Sequence, residues 1–198
     1  MSIKILGGKL SGLSLYVPKG SQTRPTSVML RRKIFDAHQD LSGKLFYDLC
    51  AGTGAMGLEA CSRGAFKVVF VESHSKTFIS LKQNIKAAND RLKNCNNDCD
   101  LVLNKSKLQS YASQFKKDYF ALNDDEKEST ILFVDPPYDR IEIYEFFLKE
   151  VVISDWFRGV SWIESDNKKG LLASWWEERG VKVKKIYQQG DSTLLITL

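Results

Sequence analysis

The sequence predicts an α/β fold built on a doubly wound, mostly parallel sheet. Between residues 44 and 179, a short apolar stretch is followed five times by a longer amphipathic stretch. Repeated strand–helix pairs imply parallel strands with helices on both faces of the sheet. The chain then closes with two strand-like stretches joined across Gly190 and Asp191, which predict an antiparallel hairpin. A length of 198 residues fits a single domain over 1–198.

A small extension precedes this alternation. Residues 3–20 alternate apolar and polar positions and contain Gly-Gly and Ser-Gly breaks, which predicts a short β-hairpin. Pro25 stands near the entrance of a predicted helix, where Thr26 or Ser27 can provide the cap. We therefore divide the domain into an N-terminal hairpin-and-helix extension, 1–40, and a core, 41–198.

The elements of the core follow from the same alternation. The predicted strands cover residues 44–49, 67–72, 100–104, 129–135, 160–165, 181–189 and 192–198, and the helices cover 55–63, 76–89, 106–117, 141–152 and 171–179. Gly64 is expected to end the first of these helices. The acidic stretch 121–130 is predicted to be a surface loop. Trp175 and Trp176 are expected to pack in the core beside Leu171 and Leu172.

Composition points to an ordinary soluble protein, with 43% hydrophobic and 27% charged residues. The N-terminus has no secretory-signal pattern, and no apolar run approaches the ~18 residues of a membrane span, so we expect a cytoplasmic location without membrane contact. The four cysteines are expected to be reduced thiols. Cys95 and Cys99, in the stretch CNNDC, lack a second pair of ligands, and we therefore expect no metal site.

Positive charge is concentrated near the N-terminus. The net charge is +5, and residues 1–47 alone carry eight basic and two acidic side chains, so the rest of the chain is close to neutral. A basic extension on a near-neutral core suits a polyanion such as nucleic acid, although a solvated surface explains the charge equally well. The candidate phosphate contacts are Lys4, Lys9, Arg24 and Arg31.

The stretch DLCAGTGAMG contains a glycine loop, Gly52, Gly54 and Gly57, between a predicted strand and a predicted helix. Glycines at such a turn let a ligand approach the backbone, and the helix N-terminus favours an anion. That anion could be the pyrophosphate of a nicotinamide dinucleotide or the carboxylate of a methionine-based methyl donor. A glycine turn used only for packing is the third possibility.

Of two acids near the loop, one favours the methyl donor and the other is compatible with either ligand. Asp48 precedes the loop, where a carboxylate would repel pyrophosphate but could pair with the ammonium group of methionine. Glu72 ends the next strand, where its oxygens can bind both ribose hydroxyls; a dinucleotide site uses an acid there too. An α/β sheet that ends in an antiparallel hairpin also fits an S-adenosylmethionine methyltransferase better than half of a dehydrogenase. The expected cofactor is S-adenosylmethionine, held by Asp48, Ala51, Gly52, Thr53, Gly54 and Glu72.

A second motif, Asp135-Pro136-Pro137-Tyr138, follows the fourth predicted parallel strand. Ligands bind at the carboxyl ends of strands in such sheets, so this motif should face the same cleft as the glycine loop. The Asp135 carboxylate and the Pro136 carbonyl could each accept one N–H of an exocyclic amine and aim the nitrogen lone pair at a methyl group. Tyr138 could stack on the base. These four residues are the expected catalytic residues, and 41–198 is the expected catalytic core.

The chain resembles the bacterial 16S ribosomal RNA guanine-N2 methyltransferases of the RsmD family, which have the class I methyltransferase (Rossmann-like) fold. The resemblance rests on the stretches IKILGGKLSGLSLYVP, RPT, RRKIFD, DLCAGTGAMGLEACSRGA, VFVE, FVDPPY, WIES and YQQGDSTLLITL. It implies methylation of guanine N2 in 16S rRNA on the 30S subunit or its assembly intermediate. It also implies that Ser106 contacts the cofactor adenine, although the family commonly has Asp or Asn there. Positions 28–32 also depart from the family pattern, and only Arg31 is retained. We expect a monomer.

Other functions remain compatible with the residues. An N6-adenine methyltransferase acting on DNA or RNA uses the same four-residue motif, and only 60 residues follow Tyr138, which leaves little room for a DNA-reading domain. A nicotinamide oxidoreductase and a noncatalytic RNA-binding assembly factor are the alternatives from other classes.

Overall fold

The computed structural model of the protein describes residues 3–18, 27–93 and 99–197. Its strands are β1 (Ile3–Lys4), β2 (Ser14–Leu15), β3 (Leu45–Asp48), β4 (Lys67–Val71), β5 (Asp100–Asn104), β6 (Thr130–Val134), β7 (Val160–Asp166), β8 (Val183–Gln189) and β9 (Ser192–Thr197). Its helices are α1 (Val28–Ala37), α2 (Ala55–Ser62), α3 (Ser75–Lys93), α4 (Leu108–Phe120), α5 (Asp124–Ser129), α6 (Ile141–Phe147) and α7 (Ala173–Glu177).

Seven strands form one sheet in the order β5-β4-β3-β6-β7-β9-β8. The strands from β5 to β7 pair in parallel, whereas β9 is antiparallel to both β7 and β8. The sheet prediction and the closing hairpin are therefore confirmed. Strand order reverses between β3 and β6, and ligands bind outside the carboxyl ends of the strands at such a switch point.

Both faces of the sheet are covered, as the continuous burial of β3 and β6 requires. Successive side chains point to opposite faces, so Phe46 packs in one hydrophobic cluster and Tyr47 in the other. Trp176 is fully buried in the second cluster and Trp175 packs against it, as expected.

The extension is joined to the core by backbone and side-chain contacts. The buried Glu59 of α2 accepts hydrogen bonds from the backbone N–H groups of Leu6 and Gly7, at 2.7 and 2.9 Å. Gly8 has a φ of 71°, and a Cβ there would lie 1.9 Å from the Ser62 carbonyl oxygen, so no other residue fits this approach. Apolar residues of β1, β2 and α1 share one hydrophobic cluster with the sheet.

The predicted hairpin of the extension is confirmed, since β1 and β2 pair antiparallel. Ser27 caps α1 by accepting a hydrogen bond from the Leu30 N–H at 3.0 Å. Pro25 and Thr26 lie outside the described residues.

Two elements differ from the prediction. The expected loop at 121–130 contains α5, because Asn123 and Glu126 form a capping box that satisfies free N–H groups at the start of that helix. The expected helix 141–152 is α-helical only to Phe147 and continues as a π-helical turn, Leu148–Val152. The other core elements lie where the alternation predicts them, with ends shifted by a few residues.

Within the described part of the chain, no helix combines the length and apolar character needed to cross a membrane. The same residues contain no group of three or more His, Cys, Asp or Glu side chains arranged to bind a metal ion. Of the CNNDC stretch, Cys99 is a free thiol and Cys95 lies outside the described residues.

Candidate active site

The glycine loop connects β3 to α2, and its three glycines serve different purposes. Gly52 and Gly54 have φ values of 55° and 81°, in the left-handed region that favours glycine. A Cβ at Gly54 would lie 2.5 Å from Leu81 Cδ1, and one at Gly57 would lie 2.3 Å from Phe70 Cε1. Gly54 and Gly57 therefore allow close packing. A Cβ at Gly52 would meet nothing closer than the Cys50 carbonyl oxygen, 4.0 Å away, so the backbone at this point of the loop has open space beside it for a ligand.

Asp48 ends β3 directly below this loop and is only 1% exposed. Its Oδ2 accepts a hydrogen bond from the Gly57 N–H in the first turn of α2, at 3.0 Å. Its Oδ1 is buried and has no hydrogen-bond partner among the described residues. Burial raises the pKa of Asp48 to about 7, and the nearby Glu72 and Glu164 contribute to the same effect. A buried acceptor without a donor is the arrangement that a ligand cation would complete.

Glu72 follows β4 and holds the glycine loop from the neighbouring strand. One carboxylate oxygen accepts from the Gly52 N–H at 2.9 Å, and the other accepts from the His74 N–H at 2.6 Å. Each oxygen keeps a lone pair for a further donor, such as a ribose hydroxyl. Burial raises the pKa of Glu72, while the two backbone N–H groups oppose that rise.

The backbone of the remaining loop residues is fixed by hydrogen bonds within the loop and to neighbouring elements. The Ala51 N–H donates to the Val71 carbonyl at 3.0 Å, and the Gly54 N–H donates to the Ala51 carbonyl at 2.7 Å. The Thr53 carbonyl accepts from Asn84 Nδ2 at 2.9 Å. These bonds tie the loop to β4 and α3.

Ser106 follows β5, the strand next to β4, and therefore lies at the same edge of the sheet. It is partly exposed, and its hydroxyl donates to the Lys107 carbonyl at 3.1 Å. Its role as an adenine contact stays a prediction.

The second motif directly follows β6. Pro136 is buried and Pro137 is exposed, and the Pro137 carbonyl accepts from the Arg140 N–H at 2.9 Å. No described residue donates to the Pro136 carbonyl, so this oxygen can accept from a ligand. The Tyr138 hydroxyl lies 3.2 Å from an oxygen of Glu164 and donates to it. The ring of Tyr138 is thereby held beside the carboxyl ends of β6 and β7.

Glu164 is a site residue that the sequence reasoning missed. It is fully buried on β7, in register one position beyond the Val134–Ile163 pair and thus beside Asp135. The available signal is an acidic residue inside the apolar strand VSWIES, near its carboxyl end. Because buried carboxylates are rare unless they are paired or functional, this position pointed to the cleft.

The cleft contains four acids from four neighbouring strands: Asp48, Glu72, Asp135 and Glu164. Burial, Glu164 and Asp48 raise the pKa of Asp135 well above its ordinary range. Burial and three of these acids also raise the pKa of the Cys50 thiol. Because negative charges this close repel one another, simultaneous ionisation of all four acids is disfavoured, and a bound cation would reduce the repulsion. The cleft therefore suits a positively charged ligand and disfavours a pyrophosphate.

The candidate phosphate contacts do not share one location. Lys4 and Lys9 are exposed on the hairpin, and Arg24 lies outside the described residues. Arg31 is only 1% exposed and donates to the Lys4 carbonyl at 2.6 Å. Its expected phosphate contact is corrected here, because its position on the inner face of α1 points the side chain toward α2, where Glu59 interacts with its charge. Burial lowers the pKa of Arg31 despite this favourable interaction.

Comparison with known proteins places the chain in a family. Residues 3–196 match the family described as Conserved hypothetical protein 95. The chain belongs to this family. One relative, Ribosomal RNA small subunit methyltransferase D of Escherichia coli, is 28% identical over 96% of this chain and 93% of that protein. The resemblance to the RsmD family is thereby confirmed.

Solved structures share the fold. A hypothetical protein of Thermus thermophilus superimposes with a TM-score of 0.69 and 22% identity, covering 98% of both chains. An RNA methyltransferase from Salinibacter ruber, solved in complex with S-adenosyl-L-homocysteine, gives a TM-score of 0.52 and 15% identity, covering 88% of this chain and 93% of that one. These structures confirm the predicted class I methyltransferase fold.

Proposed function

We propose that this protein transfers a methyl group from S-adenosylmethionine to the exocyclic N2 amine of one guanine in 16S rRNA. The substrate would be the small ribosomal subunit or an assembly intermediate of it. The observation that carries the proposal is that Asp135 lies close enough to Asp48, at the start of the glycine loop, for their charges to interact, and that Asp135 is followed by a Pro136 carbonyl to which no described residue donates. Membership of a family with a relative named for rRNA methylation supports the substrate class.

The residues present fit the cofactor. Asp48 Oδ1 lacks a donor among the described residues and would accept from the cofactor ammonium, the open backbone at Gly52 allows close approach, and Glu72 retains lone pairs for the ribose hydroxyls. Ala51, Thr53 and Gly54 would shape the loop around it, and Ser106 would face its adenine. When bound, S-adenosylmethionine supplies an electrophilic methyl group on a positively charged sulfur.

The chemistry of the amine explains the two acceptors. The lone pair of an exocyclic amine is delocalised into the base, so the nitrogen is a poor nucleophile. Asp135 and the Pro136 carbonyl would each accept one N–H and favour a pyramidal nitrogen whose lone pair faces the cleft. Tyr138, held by Glu164, would stack on the base and keep this alignment.

The same acids can take the proton that the amine must lose. Methylation leaves the nitrogen with one proton too many, and Asp135 is the nearest proposed acceptor. Because its surroundings raise its pKa, Asp135 binds a proton more readily than an exposed aspartate does. Glu164, at the neighbouring register position, would share the charge.

The choice of guanine over adenine rests on hydrogen-bond polarity. A carboxylate can accept from both N1–H and N2–H of guanine, whereas adenine N1 is itself an acceptor. The proposed contact of the extension, residues 1–40, with RNA rests on its exposed lysines, Lys4 and Lys9.

The test uses 30S subunits from a strain that lacks the gene, incubated with purified protein and methyl-labelled S-adenosylmethionine. Nucleosides from the digested 16S rRNA are then separated by liquid chromatography and mass spectrometry. We expect label in N2-methylguanosine at close to one group per particle. Label in N6-methyladenosine would assign the reaction to adenine. The absence of label from every nucleoside of the 16S rRNA would refute methyl transfer to this substrate.

A further inference from the structure

Tyr16 combines a fixed backbone with an exposed ring. It follows β2 in the extension, and 56% of its surface is exposed. Within the described residues, its ring contacts no other aromatic ring and its hydroxyl makes no hydrogen bond. An exposed aromatic side chain without a hydrogen bond or a ring partner in the fold is a candidate for ligand contact.

Asn84 of α3 holds the backbone of Tyr16 on both sides. Its Oδ1 accepts from the Tyr16 N–H at 2.7 Å, and its Nδ2 donates to the Tyr16 carbonyl at 3.1 Å. The side chain of Asn84 thus pairs with Tyr16 as an additional strand would, at the point where β2 ends. Asn84 is only 3% exposed, so these bonds are protected from competition with water.

The same amide group joins Tyr16 to the cofactor loop. Asn84 Nδ2 also donates to the Thr53 carbonyl at 2.9 Å. One buried side chain therefore connects the backbone of Tyr16 in the extension to the backbone of the glycine loop at Thr53. Residues 3–18, the described part of the extension before α1, contain Lys4 and Lys9 and no acidic residue.

We propose that Tyr16 is a stacking platform for an unpaired base of the substrate RNA, and that Asn84 is the positioning residue that fixes it next to the cofactor loop. The inference rests on the proposed rRNA methyltransferase function. A ring with a free face stacks on any base, and adjacent lysines attract the phosphates. Tyr16 would stack on an RNA base near the target base that Tyr138 contacts. This second contact would align the target base with the cleft.

The first test compares three variants in the 30S methylation assay. We expect Tyr16→Ala to raise the KM for 30S about tenfold and to leave the Kd for S-adenosylmethionine within twofold of wild type. Tyr16→Phe should retain the wild-type KM, because stacking does not need the hydroxyl. The matched control is Phe120→Ala on α4, whose residue is 54% exposed but is separated from the extension, and it should retain the wild-type KM.

The second test is a double-mutant cycle between Tyr16→Ala and Asn84→Ala. If Asn84 acts through Tyr16, the effect of Asn84→Ala on the KM for 30S should disappear in the Tyr16→Ala background. Additive effects would overturn the positioning role. If Asn84→Ala fails to fold, Asn84→Asp replaces it, because aspartate keeps the acceptor for the Tyr16 N–H and loses both donors.

The two proposals fail in different ways. A wild-type protein that methylates 16S rRNA while Tyr16→Ala keeps its KM would overturn the stacking role and leave the proposed function intact. A wild-type protein that does not methylate 16S rRNA would overturn both proposals.

Discussion

Replacing Asp48 with Asn should make the protein more stable and its cofactor binding weaker. Asn has nearly the same shape, and its amide oxygen can still accept from the Gly57 N–H. The substitution removes a carboxyl group whose ionised form is disfavoured by burial and by Glu72 and Glu164. The two effects have opposite signs because the charge that destabilises the free protein is the charge that would bind the cofactor ammonium.

The size of the stability effect follows from the pKa. Asp48 has a pKa of about 7 in the folded protein, compared with about 3.9 in an unfolded chain. A raised pKa stabilises the fold fully below pH ~3.9, and this contribution is lost as pH rises through 7. At about 1.4 kcal/mol per pKa unit, the loss between pH 4 and 8 is about 4 kcal/mol. The Asp48→Asn variant has no ionisable group at this position, so its free energy of unfolding does not fall in this way as pH rises.

The assay is urea denaturation of both proteins at pH 5 and pH 8. The free energy of unfolding of Asp48→Asn minus that of wild type should rise by about 3 kcal/mol between pH 5 and pH 8, because part of the loss has already occurred below pH 5. By calorimetry at pH 8, the variant should bind S-adenosylmethionine about 10- to 100-fold more weakly, as expected for one charge-assisted hydrogen bond. Asp36→Asn, at an exposed position of α1, is the control. A stability difference that does not change with pH would refute the assignment.

Three further substitutions separate the roles of the other residues. Tyr138→Ala should lower kcat about 100-fold and leave the Kd for S-adenosyl-L-homocysteine within threefold, because Tyr138 would contact the base; equal losses would contradict that placement. Glu164→Gln retains an acceptor for Tyr138 and removes a charge that raises the pKa of Asp135. The acidic limb of the pH–rate profile should therefore move to lower pH. A limb that does not move would show that Glu164 does not influence the titration of Asp135. Arg31→Ala should lower the free energy of unfolding by about 2–4 kcal/mol, because the buried guanidinium and its hydrogen bond to the Lys4 carbonyl are lost. The salt dependence of RNA binding should not change. A flatter salt dependence would instead show that Arg31 contacts a phosphate.

The sequence was sufficient for the sheet and for part of the site. Strands buried on both faces read as continuous apolar runs, and carboxyl ends of parallel strands meet at one edge. The acids at the carboxyl ends of β3, β4 and β6 could therefore be expected to share a cleft. Asp48, Glu72 and Asp135 do share it, as the coupling of their charges indicates.

Contacts between distant elements could not be read from the sequence. Glu164 gains its place from its register beside β6, and Asn84 gains its place from the path of the extension over α3. The basic composition of the extension predicts that Arg31 is a surface charge, although it lies with Leu30, Ile34 and Phe35 on the buried face of α1. The prediction of a loop at 121–130 was wrong for a different reason. It relied on the polar composition of the stretch, and the capping box formed by Asn123 and Glu126 stabilises α5 in spite of that composition.

The most direct test of the central claim is mass spectrometry of 16S rRNA nucleosides from cells that lack the gene, complemented with wild type or with Asp135→Asn. We predict that one N2-methylguanosine per 16S rRNA disappears on deletion, returns with wild type and stays absent with Asp135→Asn. An unchanged N2-methylguanosine content on deletion, or full restoration by Asp135→Asn, would contradict the claim that Asp135 orients a guanine amine for methylation.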